Sequence, residues 1–244
     1  QFTFLNGLDN STALIGTIPA AVFIAFQGIF AAITVALISG SIADRAKFGA
    51  WMVFAGIWAT LVYFPVAHWV FAFDNFVAKT GGWIANDLGA LDFAGGTVVH
   101  MSAGFAALAG AVFLGPRKNP RLEHANIPFI ILGTGLLWFG WFGFNAGSAL
   151  GANSDAVLAF ANTHFASASG MITWIFYARF RGRKMNAVGA CIGAIVGLVA
   201  ITPAAGFVTI QESMLIGFIA ALVSNWAISR QGRSGLDDTL DVFP

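Results

Sequence analysis

The sequence predicts an all-α fold, a polytopic transmembrane helix bundle of about seven spans, on three observations. Of its 244 residues 58% are hydrophobic and only 9% charged, against about 25% charged in soluble domains, so much of the surface must face lipid. Residues without Asp, Glu, Lys or Arg form seven runs, 11–43, 48–73, 93–116, 125–154, 156–178, 185–211 and 213–229. A span needs roughly 17–25 mostly apolar residues, so each run holds one. Eleven of the twelve basic residues fall in alternate connections: Arg45 and Lys47, then Arg117, Lys118 and Arg121, then Arg179, Arg181, Arg183 and Lys184, then Arg230 and Arg233. Only Lys79 lies on the other side. Positive charge stays cytoplasmic, which puts the N-terminus outside and the C-terminus inside a multi-pass cell-membrane protein.

The elements follow in order. The first run, 11–43, is long enough for a loop as well as a helix. The second carries Pro65 and His68 near its outer end. An outside connection, Asp74 to Leu91, contains Gly81-Gly82, Trp83 and Asp87; Trp69 and Trp83 flank it, where amphipathic rings favour the interface. The third span is rich in small residues, Gly96, Ser102, Gly104 and Gly110. Pro116 and Pro120 stop helices in the inside connection Gly115–Asn126. The fourth run holds the densest aromatic segment, Leu136 to Ser148. The sixth presents Gly189, Gly193 and Gly197 at every fourth position, a smooth stripe suited to close helix packing and also to lining a narrow channel. Beyond Arg233 the sequence turns polar.

A net charge of +1 gives no reason to expect nucleic acid as a partner. The single cysteine, Cys191, excludes an internal disulfide and falls short of a metal cluster; no cofactor is called for. With no initiating Met and no charged leader, the sequence reads as a piece of a longer chain.

Ionisable or imidazole groups within a span are costly and mark function. His100 lies eight residues, about 12 Å of helix, below Asp92, near the centre of a hydrocarbon core about 30 Å thick. Neutral imidazole offers one donor and one acceptor, so it can hand on a small polar molecule; a bond to a neighbouring helix is the alternative. Asp92 either caps the start of its helix or meets a cation. His68 lies near the outer end of its span, and His124 in the basic connection, expected in solvent. His164 is either a second polar pore residue or a helix-to-helix hydrogen bonder. Rings attract cations by about 2 kcal/mol or more when desolvated, and a serine hydroxyl such as Ser148 can accept from a cationic N–H.

The segment Leu88-Gly-Ala-Leu-Asp-Phe-Ala-Gly-Gly-Thr-Val-Val-His100 resembles the signature of the ammonium transporter (Amt/Mep/Rh) family. Ala25-Phe-Gln-Gly-Ile-Phe30, Gly140-Trp-Phe-Gly-Phe-Asn-Ala-Gly-Ser148, and Gly189-Ala-Cys-Ile-Gly-Ala-Ile-Val-Gly-Leu-Val with Thr202-Pro203 support the match, in family order across essentially the whole chain. The resemblance implies an eleven-span inverted-repeat fold, of which residues 1–244 form a single partial membrane domain: 11–116 supplies spans three to five, and 125–244 spans six to nine with the lead-in to ten. It further implies a homotrimer in the lipid bilayer, ammonium or ammonia as the transported species, and a cytoplasmic PII-type signalling partner for the full-length parent. Residue by residue, Phe30 and Phe144 match the stacked phenyl gate, and Ser148 the ammonium recruitment site with Gln27 one turn from Phe30. His100 matches the first of two pore histidines, and Asp92 the aspartate supporting the recruitment site.

Two departures stand out. Phe71 occupies a position where many members carry the recruitment tryptophan, and phenylalanine is the weaker cation partner. Asp238-Thr-Leu-Asp-Val-Phe resembles the lead-in to span ten, whose histidine would follow Asp238 by eight residues as His100 follows Asp92; the chain stops two positions short, on Pro244 where glycine is usual. Residues 1–244 are therefore expected neither to trimerise stably nor to conduct alone. The competing readings are an ammonium sensor on the same bundle and a membrane-embedded enzyme; the enzyme would need a nucleophile–base pair or metal cluster that the sequence does not offer.

Overall fold

The computed structural model describes residues 5–9, 11–76, 79–118, 120, 124 and 126–244; Arg121 lies outside them. A two-residue hairpin, β1 Leu14–Ile15 against β2 Ile18–Pro19, leads into α1 Ala20–Ile42. The second rod is α2 Phe48–Trp58, a wide π turn Ala59–Tyr63, and α3 Phe64–Phe71. The π turn falls just before Pro65, whose ring would otherwise press on the carbonyl one turn back. The outer connection folds a short α4, Trp83–Asn86, and brings the Trp69 and Trp83 rings to 6.1 Å.

A second π turn, Gly96–Met101, opens the third rod and runs into α5 Ser102–Leu114. Gly95 precedes it at φ +112°, a conformation that favours glycine, and its carbonyl accepts from both Val99 and His100 N–H at 2.8 and 3.1 Å. The remaining helices are α6 Ile127–Gly147, α7 Ser154–Phe180, α8 Ala187–Ile201 and α9 Ile210–Ser234. Each starts where a side chain can take up its first free N–H groups. Asn126, Asn153 and Asn186 accept from Phe129, Ala156 and Gly189 at 3.0, 2.9 and 2.7 Å; Thr209 and Glu212 form a reciprocal capping box.

Among the described residues, six helical segments are long and apolar enough to cross a membrane: Ala20–Ile42, Phe48–Phe71, Gly96–Leu114, Ile127–Gly147, Ala187–Ala204 and Ile210–Ser234. The expected seventh, α7, is 27 residues long but more polar. The reason is its place at the centre of the second half, packed on α6, α8 and α9. Its polar side chains bond across those contacts: Ser167 Oγ to the Ala194 carbonyl at 3.0 Å, Ser169 Oγ to Met214 at 2.7 Å, and Asn162 Nδ2 to Ala205 and Val208 at 2.8 and 2.7 Å. By contrast, large apolar side chains line the outside; Phe113 is 87% exposed and Phe180 86%. Such a surface is stable in lipid and not in water, and the chain is a multi-pass membrane protein.

The glycine stripe of α8 serves packing. A Cβ on Gly193 would meet the Gly170 carbonyl at 2.6 Å, and one on Gly197 the Ala166 carbonyl at 2.3 Å, so α7 and α8 touch through their backbones. In the first half α1 lies along α5, tied by Ser41 Oγ to the Ala107 carbonyl at 2.8 Å. The halves meet at the His100 segment: Phe93 N–H donates to the Pro203 carbonyl at 3.0 Å, and Gly96 lies so close to the Pro203 ring that a Cβ would approach within 2.5 Å. After α9 the chain turns back to the first half. Thr239 N–H donates to Ser41 O at 3.2 Å, and Asp237 takes a bidentate contact from Arg117, Nη2 to Oδ1 at 2.8 Å and Nε to Oδ2 at 2.9 Å. Arg45, almost fully buried, donates to the carbonyls of Ser41, Gly115 and Asp237.

Candidate functional site

The π turn sets His100 on the inner side of its rod, half-buried beneath a column of rings. Phe30 of α1 and Phe144 of α6 stack with centroids 4.3 Å apart and planes 14° apart. His100 continues the stack, 5.9 Å and 22° from Phe144, and lies 5.4 Å and 20° from Trp141. Phe71 meets Phe30 edge-on at 6.4 Å, and Phe26 leans on Phe30 at 4.7 Å. An apolar groove of about 610 Å³ runs between α1 and α6 beside this pair, walled by Phe26, Phe30 and Phe144 and floored by Gly140, Gly143 and Gly147.

Asp92 is buried and its carboxylate is fully engaged by backbone. Oδ1 accepts from Gly95 and Gly96 N–H at 2.8 and 2.7 Å, Oδ2 from Thr97 and Val98 at 2.8 and 3.2 Å. Of the two readings left open for it, capping is the one the structure bears. Ser148, at the end of α6, donates its hydroxyl proton to the Phe144 carbonyl at 2.8 Å, which leaves its oxygen free to accept. Gln27 is half-buried one turn before Phe30 and makes no side-chain hydrogen bond among the described residues.

The other histidines stand apart. His68 and His124 are exposed. His164 makes no side-chain hydrogen bond among the described residues and does not join the His100 column: its ring is exposed on α7, 5.6 Å from the Trp138 ring and 6.3 Å from Phe142. Its backbone turns it outward, while Asn162 and Thr163 beside it take the buried side. Among the described residues no three His, Cys, Asp or Glu come together as a metal site.

Sequence reasoning missed two members of the cluster. The hydroxyl of Thr202, just beyond α8, lies 3.3 Å from His100 Nε2 and accepts from the Trp141 indole N–H at 2.9 Å. Trp141 stands one turn before Phe144 and Thr202 directly before Pro203, both within segments already notable, but only the packing of α6 and α8 brings them to His100.

A profile described as the Ammonium Transporter Family matches residues 1–244. The chain is 53% identical over 232 residues to a protein named ammonium transporter from Mycobacterium bovis, covering 94% of this chain and 49% of that one. The crystal structure of Mep2 from Candida albicans superposes with a TM-score of 0.83 at 42% identity, over 93% of this chain and 50% of that one. A structure named Sensor Amt Protein gives a TM-score of 0.88 at 30% identity, over 98% and 60%. The chain thus spans about half the length of the curated relatives it matches.

Proposed function

Because the chain belongs to the ammonium transporter family, we propose that it forms part of a transmembrane path for ammonium and ammonia, with the stacked pair Phe30–Phe144 as gate and His100 as the polar station behind it. The ring column carries this reading: two phenyl faces in near-parallel contact with an imidazole next in line. Ammonium would be recruited on the outer side by the Ser148 oxygen and the faces of Phe30 and Phe71, near Gln27, where cation–ring attraction offsets lost hydration. A bare cation within an apolar passage is too costly. Transfer of one proton to water on the outer side of the gate, passage of neutral ammonia past His100, and return of a proton from water on the inner side avoid that cost. Asp92 supports the arrangement through the backbone it caps.

The same reading gives the halves 11–116 and 125–244 as parts of an inverted repeat, the N-terminus outside and the C-terminus cytoplasmic, and a homotrimer with a PII-type cytoplasmic partner for the full-length protein. The 244 residues alone are proposed not to conduct, since they cover only 49% of the ammonium transporter they match. Uptake of labelled methylammonium by the full-length protein tests the central claim. His100→Ala is expected to reduce or alter uptake by about tenfold, the worth of one hydrogen-bonding group of about 1.4 kcal/mol. Undiminished, unaltered uptake removes His100 from the mechanism. Similarity to the Sensor Amt Protein favours a second reading, ammonium sensing on the same bundle; binding of ammonium without uptake in sealed vesicles would select it.

A further inference from the structure

The hydroxyl of Thr202 has one proton to give and two lone pairs to fill. Its oxygen lies 2.8 Å from the Leu198 carbonyl, an acceptor only, so the hydroxyl proton must point there. The Trp141 indole N–H, a donor only, fills one lone pair at 2.9 Å. What remains toward His100 Nε2, at 3.3 Å, is the second lone pair. An unprotonated Nε2 would set lone pair against lone pair around a fully buried oxygen, an arrangement that buried polar groups avoid.

From this accounting we propose that Thr202 is a positioning residue: it holds His100 as the neutral tautomer protonated on Nε2, leaving Nδ1 as the ring's single acceptor. Thr202 is itself held. Pro203, next in the chain, packs its ring on Gly96 and takes the Phe93 N–H on its carbonyl, so both ends of the His100 segment are anchored on the end of α8. The one hydroxyl also ties the Trp141 indole to the imidazole, in line with their near-parallel planes. For transport, the inference deepens the proposed function and rests on it: Nδ1 is left to accept an N–H, whether that of a permeating ammonia or that of the second pore histidine that the family resemblance implies for the full-length protein.

The test uses full-length protein in liposomes, labelled with ¹⁵N-histidine, with solid-state NMR reading the tautomer of His100 and methylammonium uptake measured in parallel. The His100 resonances are those lost in His100→Ala. The wild-type ring is expected as Nε2–H alone. Thr202→Ser, which keeps the hydroxyl, should preserve both the tautomer and uptake. Thr202→Val, which keeps the shape, should give mixed tautomers and uptake lowered by about tenfold. A wild-type ring protonated on Nδ1 overturns the proposal, needing no variant. So does a Thr202→Val protein with an unchanged tautomer, or one with mixed tautomers and full uptake. If the wild type moves no methylammonium yet shows the Nε2–H ring, the transport reading fails and the tautomer assignment stands.

Discussion

At the scale of single residues, Asp92 shows how a charge is made tolerable at the edge of a membrane span. Its two oxygens accept from four consecutive backbone N–H groups, which is the helix start the π turn would otherwise leave unsatisfied. Asn is nearly the same size but has one accepting oxygen and no charge. Asp92→Asn is therefore expected to destabilise the protein by about 2–3 kcal/mol, since hydrogen bonds to charged groups are the stronger kind. A thermal melt in detergent checks it, and an unchanged melting temperature would mean that the cap carries little. From sequence, Asp92 was readable as a cap or a cation ligand and nothing there decided between them. The choice needed the positions of Gly95 to Val98, which depend on a left-handed glycine and a wide turn that no periodicity announces. Thr202 and Trp141 were hidden for a related reason: each joins His100 across a helix contact, and sequence spacing is silent on contacts of that kind.

Among the elements, α7 is the axis of the second half, and its departure from the apolar pattern follows from that position. Several of the side chains that lower its hydropathy, Asn162, Thr163, Ser167 and Ser169, bond to α6, α8, α9 and the connection between the last two, as Asn145 Nδ2 does in turn to Thr163 Oγ1 at 2.9 Å. Most of the bundle was legible: the charge-free runs matched rods, and run 11–43 did contain a loop, here a hairpin, before its helix. The glycine stripe suited packing and channel lining equally until its neighbour was known. Gly197 now gives a sharp contrast with Gly104. A Cβ at 197 would stand 2.3 Å from the Ala166 carbonyl, whereas at 104 nothing lies within 4 Å. Gly197→Ala should cost about 1–3 kcal/mol through overpacking, while Gly104→Ala should be neutral or stabilising by up to about 1 kcal/mol. Melting temperatures of the two variants that move together would contradict the packing of α7 on α8.

Across the whole molecule, the segment after α9 closes onto the first half through Asp237. Hydrogen bonds from Arg117 hold the Asp237 carboxyl below its ordinary value, helped by the nearby Arg45 charge; the same contact pushes the Arg117 guanidinium up. A depressed carboxylate contributes stability that is complete above its ordinary range and fades as pH falls through the depressed value. Arg117 stays protonated throughout, so it adds no slope there. The melting-temperature gap between wild type and Asp237→Asn should thus be widest near neutral pH and close in acid. A gap independent of pH would show that the staple is not electrostatic.

The wide turn at Gly96–Met101 has a further consequence for how this chain can vary. Each residue of a helix advances the side chains by about 100°, so the extra residue held in that turn acts as a phase shift between Asp92 and everything from Ser102 onward. A one-residue deletion there would yield a more regular helix of nearly the same length, yet swing the imidazole off its column or rotate the whole of α5 against α1. Regularity, in this stretch, is the defect.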